Sequence, residues 1–192
     1  MRIVAAIIAG GRSSRMGSRE KAFLNLAGKP LLQHVIDRVR PQVSSIIINA
    51  NGDSLRFSQF GLPVISDDNA EITTPLAGLQ AALRYAESNG FEAVLSVPSD
   101  TPFLPRDLVA MFGSGVLPAI AASGGQSHFL TGLWPVALAE ILAHEMNGGL
   151  RRVKDFAFLT GARQVEWPTD PHDPFANINT PEELDNAVRL LG

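Results

Sequence analysis

Two patterns of apolar residues take turns along the first half of the chain: short continuous runs, and longer segments in which apolar residues recur at helical spacing. From Arg2 to Ile8, the residues after the arginine are continuously apolar and rich in β-branched side chains, which is typical of a strand buried on both faces. Similar short apolar runs occupy residues 45–50, 63–66 and 91–97. Between these runs, apolar residues recur at helical spacing after Pro30 and after Pro75, and proline suits the first position of a helix. The pattern therefore predicts strands that alternate with helices.

This alternation predicts an α/β fold with a mostly parallel sheet and helices on both faces. Right-handed crossovers bring the carboxyl ends of parallel strands to one edge of the sheet. Proteins of this class bind ligands at that edge. We therefore expect the residues that follow the strands to form the functional site.

The second half of the chain has weaker patterns. It predicts strands at 117–122, 128–133 and 163–167, and helices at 135–144, 150–158 and 181–191. The last helix has a strong start, because Thr180 can cap it, Pro181 fits its first position and Glu183 fits its third. No linker, repeat or low-complexity tract interrupts the pattern, so we predict one domain over residues 1–192.

Composition narrows the class of protein. The 192 residues are 45% hydrophobic and 18% charged, which is ordinary for a folded globular chain. A net charge of -3 gives no broad basic field, so we expect no nucleic-acid partner. The absence of cysteine excludes disulfides, thiolate nucleophiles and cysteine-bound metals. The apolar run from Ile3 to Ala9 is too short to span a bilayer, and we expect a cytoplasmic protein without a membrane partner.

A glycine-bearing basic loop follows the first strand. Gly10 and Gly11 let backbone N–H groups approach phosphate oxygens, and Arg15 and Lys21 carry charges that neutralise a triphosphate. The loop fits neither the P-loop pattern nor the dinucleotide-binding pattern. Taken alone, it is equally typical of a plain surface turn with solvated basic side chains.

Acidic residues follow two of the later strands. Asp100 comes directly after the run at 91–97, at the sheet edge that also holds the glycine loop. A carboxylate there suits Mg²⁺, a hard cation that often binds one or two carboxylates together with substrate phosphates, so we favour this role over helix capping. Asp67 and Asp68 follow another strand, where turn formation also explains them.

Histidines and serines give no sign of nucleophilic or zinc chemistry. The four histidines, at 34, 128, 144 and 172, share no metal-ligand spacing, and we interpret them as surface or packing residues. No Ser-His-Asp arrangement is evident. This suits phosphoryl transfer, in which charge neutralisation and positioning do most of the work.

Five segments together resemble one family. They are IAGGRSSRMGSREK at 8–21, PLAGL at 75–79, PSDTPF at 98–103, GGLRRVKDF at 148–156 and FANINTPEEL at 175–184. The first segment resembles the signature loop of nucleotidyltransferases with a Rossmann-like fold. The others are similar to the molybdenum cofactor guanylyltransferase family, over essentially the whole chain.

The resemblance implies an activity and its substrates. That family transfers GMP from GTP to molybdenum-bearing molybdopterin and releases pyrophosphate, with Mg²⁺ as cofactor. We therefore expect GTP and molybdopterin as substrates and molybdoenzymes or their chaperones as partners. Residues 1–112 would mainly bind nucleotide, and residues 113–192 would mainly bind the acceptor.

The resemblance also implies roles for individual residues. It assigns the nucleotide to Ile8, Ala9, Gly10, Gly11, Lys21, Asn49, Asp67 and Asp100, although Asn51 remains an alternative to Asn49. It assigns the acceptor to Arg152, Asn177 and Asn179. Together with the charge argument, it makes Arg15, Lys21 and Asp100 the catalytic residues and Asp100 the metal ligand. Related cytidylyltransferases or sugar-phosphate nucleotidyltransferases, and an inactive nucleotide-binding module, are the alternatives.

Overall fold

A computed structural model describes residues 1–9, 21–68 and 74–191 of the chain. The strands, in chain order, are β1 (Ile3–Ile8), β2 (Asn25–Leu26), β3 (Lys29–Pro30), β4 (Ser45–Asn49), β5 (Val64–Ile65), β6 (Ala93–Pro98), β7 (Ala119–Ser123), β8 (Gln126–Pro135) and β9 (Arg163–Trp167). The helices are α1 (Leu31–Val39), α2 (Pro75–Ser88), α3 (Leu108–Gly113), α4 (Ala139–Asn147), α5 (Val153–Leu159) and α6 (Pro181–Leu191). None of the described helices combines the length and the apolar character that a membrane span requires.

The main sheet contains seven strands in the order β5-β4-β1-β6-β8-β7-β9. Strand β1 pairs in parallel with β4 on one side and β6 on the other, and β5 and β9 also pair in parallel with their neighbours. Strand β8 runs antiparallel to both β6 and β7. The predicted α/β fold with a mostly parallel sheet is confirmed.

Two apolar layers enclose the sheet, because alternate side chains of a strand point to opposite faces. Ile3, Ala5 and Ile7 of β1 pack in one cluster with residues of α1 and α3. Val4, Ala6 and Ile8 pack in the other cluster with residues of α2, α4 and α5. The continuous apolar run of β1 is thus explained by burial on both faces.

The last helix closes over the edge where the parallel strands end. Its Ala187 belongs to a small apolar cluster with Leu26, Phe103 and Ile178. The helix start forms a reciprocal cap in which the Glu183 amide donates to Thr180 Oγ1 and the Thr180 amide donates to the Glu183 carboxylate. The Asn179 amide donates to the same carboxylate, so the cap also holds the residue immediately before it.

Several boundaries differ from the sequence prediction. The segment after Pro135 begins as a 3₁₀ turn over Val136–Leu138, and the α-helix begins only at Ala139. Helix α5 begins at Val153 rather than at residue 150, because the backbone of Arg152 is extended. Helix α3 and a 3₁₀ helix over Ser54–Phe60 were not predicted, since both are short and amphipathic patterns need length to be recognised.

Candidate active site

The carboxyl ends of β1 and β6 lie side by side, with Ile8 opposite Pro98. The chain runs from β1 outward to β4 and β5 and then returns to the other side of β1 as β6. Such a reversal opens a crevice beyond the strand ends, and it is where α/β proteins bind ligands. The segment that follows β1 lies outside the described residues and contains Gly10, Gly11 and Arg15.

Lys21 and Asp100 meet in this crevice. Lys21 Nζ lies 3.5 Å from Asp100 Oδ2, and it also donates a hydrogen bond to Asn179 Oδ1. The Lys21 and Asp100 side chains are 23% and 17% exposed, so both remain open to a ligand. The amide of Ile178 donates to the Asp100 carbonyl at 3.0 Å. One cluster therefore joins the end of β6, the residue after the glycine loop and the segment before α6.

Burial governs the charge of Asp100. Partial burial raises the pKa of its carboxyl, and this effect outweighs the opposing influences of the Lys21 ammonium and of a backbone hydrogen bond. Glu183, a second carboxylate nearby, raises the pKa further. A second cation beside Asp100 would stabilise its ionised form, because one ammonium only partly replaces the lost hydration.

Asn49, Asn51 and Asp67 form a second cluster on the neighbouring strand ends. Asn49 Nδ2 donates to Asp67 Oδ1 at 2.9 Å, and Asn51 Nδ2 donates to Asp67 Oδ2 at 2.8 Å. The Asp67 amide donates in return to Asn51 Oδ1 at 2.9 Å. Each carboxylate oxygen of Asp67 thus accepts from a different asparagine, and both asparagines belong to the same cluster.

Close packing holds the buried member of this cluster. Asn49 is only 2% exposed, and its carbonyl accepts a hydrogen bond from the amide of Ala9 at 2.9 Å. Gly78 of α2 lies directly against it, because a Cβ at that position would be 2.3 Å from Asn49 Oδ1. The same Cβ would be 3.2 Å from the side chain of Ile8. A glycine therefore lets α2 approach the ends of β1 and β4.

The predicted acceptor residues separate into two groups. Asn179 contacts Lys21, and Asn177 lines a cavity of about 250 Å³ beside Pro98 and Thr101. Arg152 lies before α5 with its side chain 75% exposed. Its Nε donates to Asp155 Oδ2 at 2.7 Å, and this partner raises the pKa of the guanidinium. Arg152 therefore engages its own helix rather than the Lys21 cluster.

Residues that the sequence analysis did not select also line this cavity. His128 was interpreted as a surface or packing residue, but it lines the cavity together with Phe129 and Phe175. Ser123 Oγ lies 2.7 Å from His128 Nε2 and donates to Asp173 Oδ1 at 2.8 Å. Strands β7 and β8 and a distant loop bring these three residues together, but serine lies between histidine and the carboxylate, which is not the order of a catalytic triad. Sequence spacing carries no signal of this contact.

The described residues contain no group of three or more histidine, cysteine, aspartate or glutamate side chains that could hold a metal ion. A multi-carboxylate cage is thus absent from the described ranges. Asp100 still offers a partly exposed carboxylate oxygen, which suits a hard cation that takes its other ligands from water and substrate phosphate.

Comparison with known proteins identifies relatives over the full length. The family described as MobA-like NTP transferase domain matches residues 5–161. A molybdenum cofactor guanylyltransferase of Acidiphilium cryptum (strain JF-5) is 46% identical over 184 residues, covering 95% of this chain and 92% of the relative. A protein of the same name from Cereibacter sphaeroides is 43% identical, covering 100% of this chain and 98% of the relative.

Solved structures share the fold. Molybdopterin-guanine dinucleotide biosynthesis protein A from Archaeoglobus fulgidus superposes with a TM-score of 0.73 at 22% identity, covering 98% of both chains. A protein from Aquifex aeolicus VF5 gives a TM-score of 0.75 at 22% identity, covering 92% of this chain and 93% of the other. At these identities the likeness establishes the architecture.

Proposed function

Because this chain belongs to the molybdenum cofactor guanylyltransferase family, we propose that it transfers GMP from GTP to the terminal phosphate of molybdenum-bearing molybdopterin, with release of pyrophosphate. The single observation that carries the mechanism is the 3.5 Å contact between Lys21 Nζ and Asp100 Oδ2 beyond the ends of β1 and β6. The contact joins a cationic and an anionic group where an α/β fold binds nucleotides.

Charge is the main obstacle to this reaction. The acceptor phosphate is already ionised near neutral pH, so its oxygen needs no strong base, but it must approach another polyanion. Lys21 provides a positive point charge for the phosphates of GTP, and Asn179 orients the ammonium. Arg15, outside the described residues, would add a second positive group.

Mg²⁺ is the cofactor that we assign to Asp100. When bound, it would supply Lewis-acid neutralisation of the phosphate charge. The raised pKa of Asp100 supports this assignment, because a carboxylate short of hydration gains from a nearby cation. Asp100 and Lys21 would each hold the reacting groups in line, and positioning of this kind accounts for much of the rate enhancement in phosphoryl transfer.

Nucleotide and acceptor would occupy different parts of the edge. We assign residues 1–112 mainly to GTP, with Ile8, Ala9, Gly10, Gly11, Asn49 and Asp67 as its contacts, and residues 113–192 mainly to molybdopterin. Asn179, which contacts Lys21, and Asn177, which lines the cavity beside Thr101, are acceptor contacts. Arg152 would reach the acceptor only by exchanging its present partner, Asp155. Cytoplasmic location and delivery to molybdoenzymes or their chaperones remain predictions.

The test is product formation by the purified chain with GTP, Mg²⁺ and molybdopterin carrying molybdenum. We expect the guanine dinucleotide product and pyrophosphate in equal amounts, with little product when CTP replaces GTP. Asp100→Ala should abolish transfer, and Lys21→Met should lower kcat about 10²–10³-fold, by analogy with the loss of one transition-state contact.

A matched control comes from another ion pair of the same types. Lys29 Nζ lies 3.1 Å from Asp37 Oδ2, with side chains that are 57% and 41% exposed. Lys29→Met and Asp37→Ala should retain activity, because exposed pairs contribute little. Normal turnover by folded Asp100→Ala would refute the proposed role, and preference for CTP would favour a cytidylyltransferase instead.

A further inference from the structure

Three polar side chains form a chain of hydrogen bonds beside the cavity. Asp173 Oδ1 accepts from Ser123 Oγ at 2.8 Å and from the Phe175 amide at 3.0 Å. Ser123, which is 2% exposed at the end of β7, lies between Asp173 and His128 Nε2. Strand β8 supplies His128, so a hairpin and the loop before α6 combine at one point.

The order of these groups decides the state of the imidazole. A hydroxyl has one proton, and Ser123 donates it to the carboxylate of Asp173. Ser123 Oγ can therefore only accept from His128, and Nε2 must carry a proton. In neutral histidine this leaves Nδ1 as an acceptor, and Nδ1 makes no hydrogen bond within the described residues.

Two further observations indicate a neutral ring at the cavity wall. Burial lowers the pKa of His128 and outweighs the opposing effects of Asp173 and Glu166. The imidazole stacks on the ring of Phe175, with centroids 4.7 Å apart and planes inclined by 29°. Both rings line the same cavity.

The arrangement does not generate a nucleophile. In a catalytic triad histidine lies between serine and the carboxylate, so that it removes the serine proton. Here serine lies in the middle and gives its proton to the carboxylate, and Ser123 is buried. The three residues instead fix one histidine tautomer, as partners of functional histidines do elsewhere.

The cavity matches one planar ring system. Its volume of about 250 Å³ is below the roughly 300–1,000 Å³ of pockets that hold whole drug-sized ligands. Its lining combines the aromatic residues His128, Phe129 and Phe175 with the hydroxyl-bearing residues Thr101, Ser127 and Thr131. Thr101 follows Asp100, so a ring held here lies next to the Lys21 cluster.

We propose that His128 selects the acceptor by accepting, at Nδ1, a hydrogen bond from an N–H group of its pterin ring, with Ser123 and Asp173 as positioning residues. The inference rests on the proposed function. The guanine of GTP presents similar N–H donors and could in principle make the same contact. The two ligands are distinguished by which Michaelis constant changes.

The test compares three variants in the transfer assay. His128→Phe keeps an aromatic ring for Phe175 but removes the acceptor atom, and it should raise the KM for molybdopterin about 10–100-fold while the KM for GTP stays unchanged. His128→Asn places a carbonyl oxygen at the same number of bonds from Cβ and should recover part of the loss. His144→Ala, at an exposed histidine of α4, should match the unaltered protein.

A second measurement needs no turnover. Long-range ¹H–¹⁵N spectra of the unaltered protein should show His128 protonated at Nε2 and bare at Nδ1, and free pterin should shift the Nδ1 resonance. Ser123→Ala should release this tautomer preference. A proton on Nδ1 in the unaltered protein would overturn the proposal.

Failure of the inference differs from failure of the function. Unchanged kinetics in folded His128→Phe, or a raised KM for GTP instead of molybdopterin, would overturn the role of His128 while the unaltered protein still made product. Absence of any product from the unaltered protein would overturn both proposals.

Discussion

Gly78 offers a direct test of how the nucleotide edge is packed. In Gly78→Ala the new Cβ would lie 2.3 Å from Asn49 Oδ1, a distance that real Cβ atoms do not adopt, and 3.0 Å from its Cγ, which is tighter than most real Cβ contacts. Asn49 must therefore move, and its hydrogen bond to Asp67 is the contact that it loses first. The substitution perturbs a buried polar cluster without replacing a charged residue.

The magnitude follows from three contributions. Overpacking a filled interior costs about 1–3 kcal/mol, and loss of a hydrogen bond to a charged group costs about 1.5–3 kcal/mol. Alanine is better than glycine in a helix by about 1 kcal/mol, which offsets part of this cost. We expect a net destabilisation of about 1.5–5 kcal/mol, or roughly 3–20 °C in Tm for a domain of this size.

Gly113 provides the matched control. It ends helix α3, and a Cβ there would meet nothing within 4 Å. Gly113→Ala should leave Tm unchanged or raise it, because helix propensity acts without a clash. Thermal unfolding followed by circular dichroism measures both variants, and GTP titration reports whether Gly78→Ala also weakens nucleotide binding.

Equal behaviour of the two glycine variants would refute this reasoning. If Gly78→Ala melted at the temperature of the unaltered protein, the contact between α2 and Asn49 could not be as tight as the structure shows. If it melted early but bound GTP normally, the packing would stand while the assignment of Asn49 to the nucleotide would fall.

Two further predictions concern charge and capping. The pKa of Asp100 is raised on folding, so the folded state holds its proton longer and loses stability as pH rises above the ordinary value of 3.8. Denaturant unfolding in metal-free buffer should show that the free energy of unfolding of Asp100→Asn increases relative to that of the unaltered protein as pH rises. A difference between the two that does not change with pH would contradict the desolvation argument. Thr180→Ala removes the acceptor for the Glu183 amide and should cost about 1 kcal/mol, seen as a Tm loss of about 2–4 °C, whereas Glu182→Ala should change little.

Local patterns were sufficient to predict most elements and part of the site. Mostly apolar runs indicated β1, β4 and β6, because both faces of these strands are buried. Thr180 and Glu183 indicated the start of α6 from their spacing alone. The family resemblance is confirmed by relatives that match over nearly the whole chain.

The positions of Asp100 and Lys21 along the chain also predicted that they belong to one site. Asp100 follows strand β6 and Lys21 follows the loop after β1, and parallel strands end at a common edge. The 3.5 Å contact between them agrees with that expectation. The glycine loop that precedes Lys21, with Gly10, Gly11 and Arg15, lies outside the described residues, so its role stays a prediction.

Contacts between distant segments were decided only by the tertiary structure. Asp173 meets Ser123 across 50 positions, and no periodicity encodes this pairing. The insertion of β8 antiparallel between β6 and β7 places His128 at the cavity, whereas its sequence neighbourhood indicated a packing residue. The close approach of Gly78 to Asn49 likewise depends on how α2 packs against the strand ends. Short-range sequence patterns record which face of an element is buried, but the partner on that face depends on how the strands are ordered, and that order is a property of the whole chain.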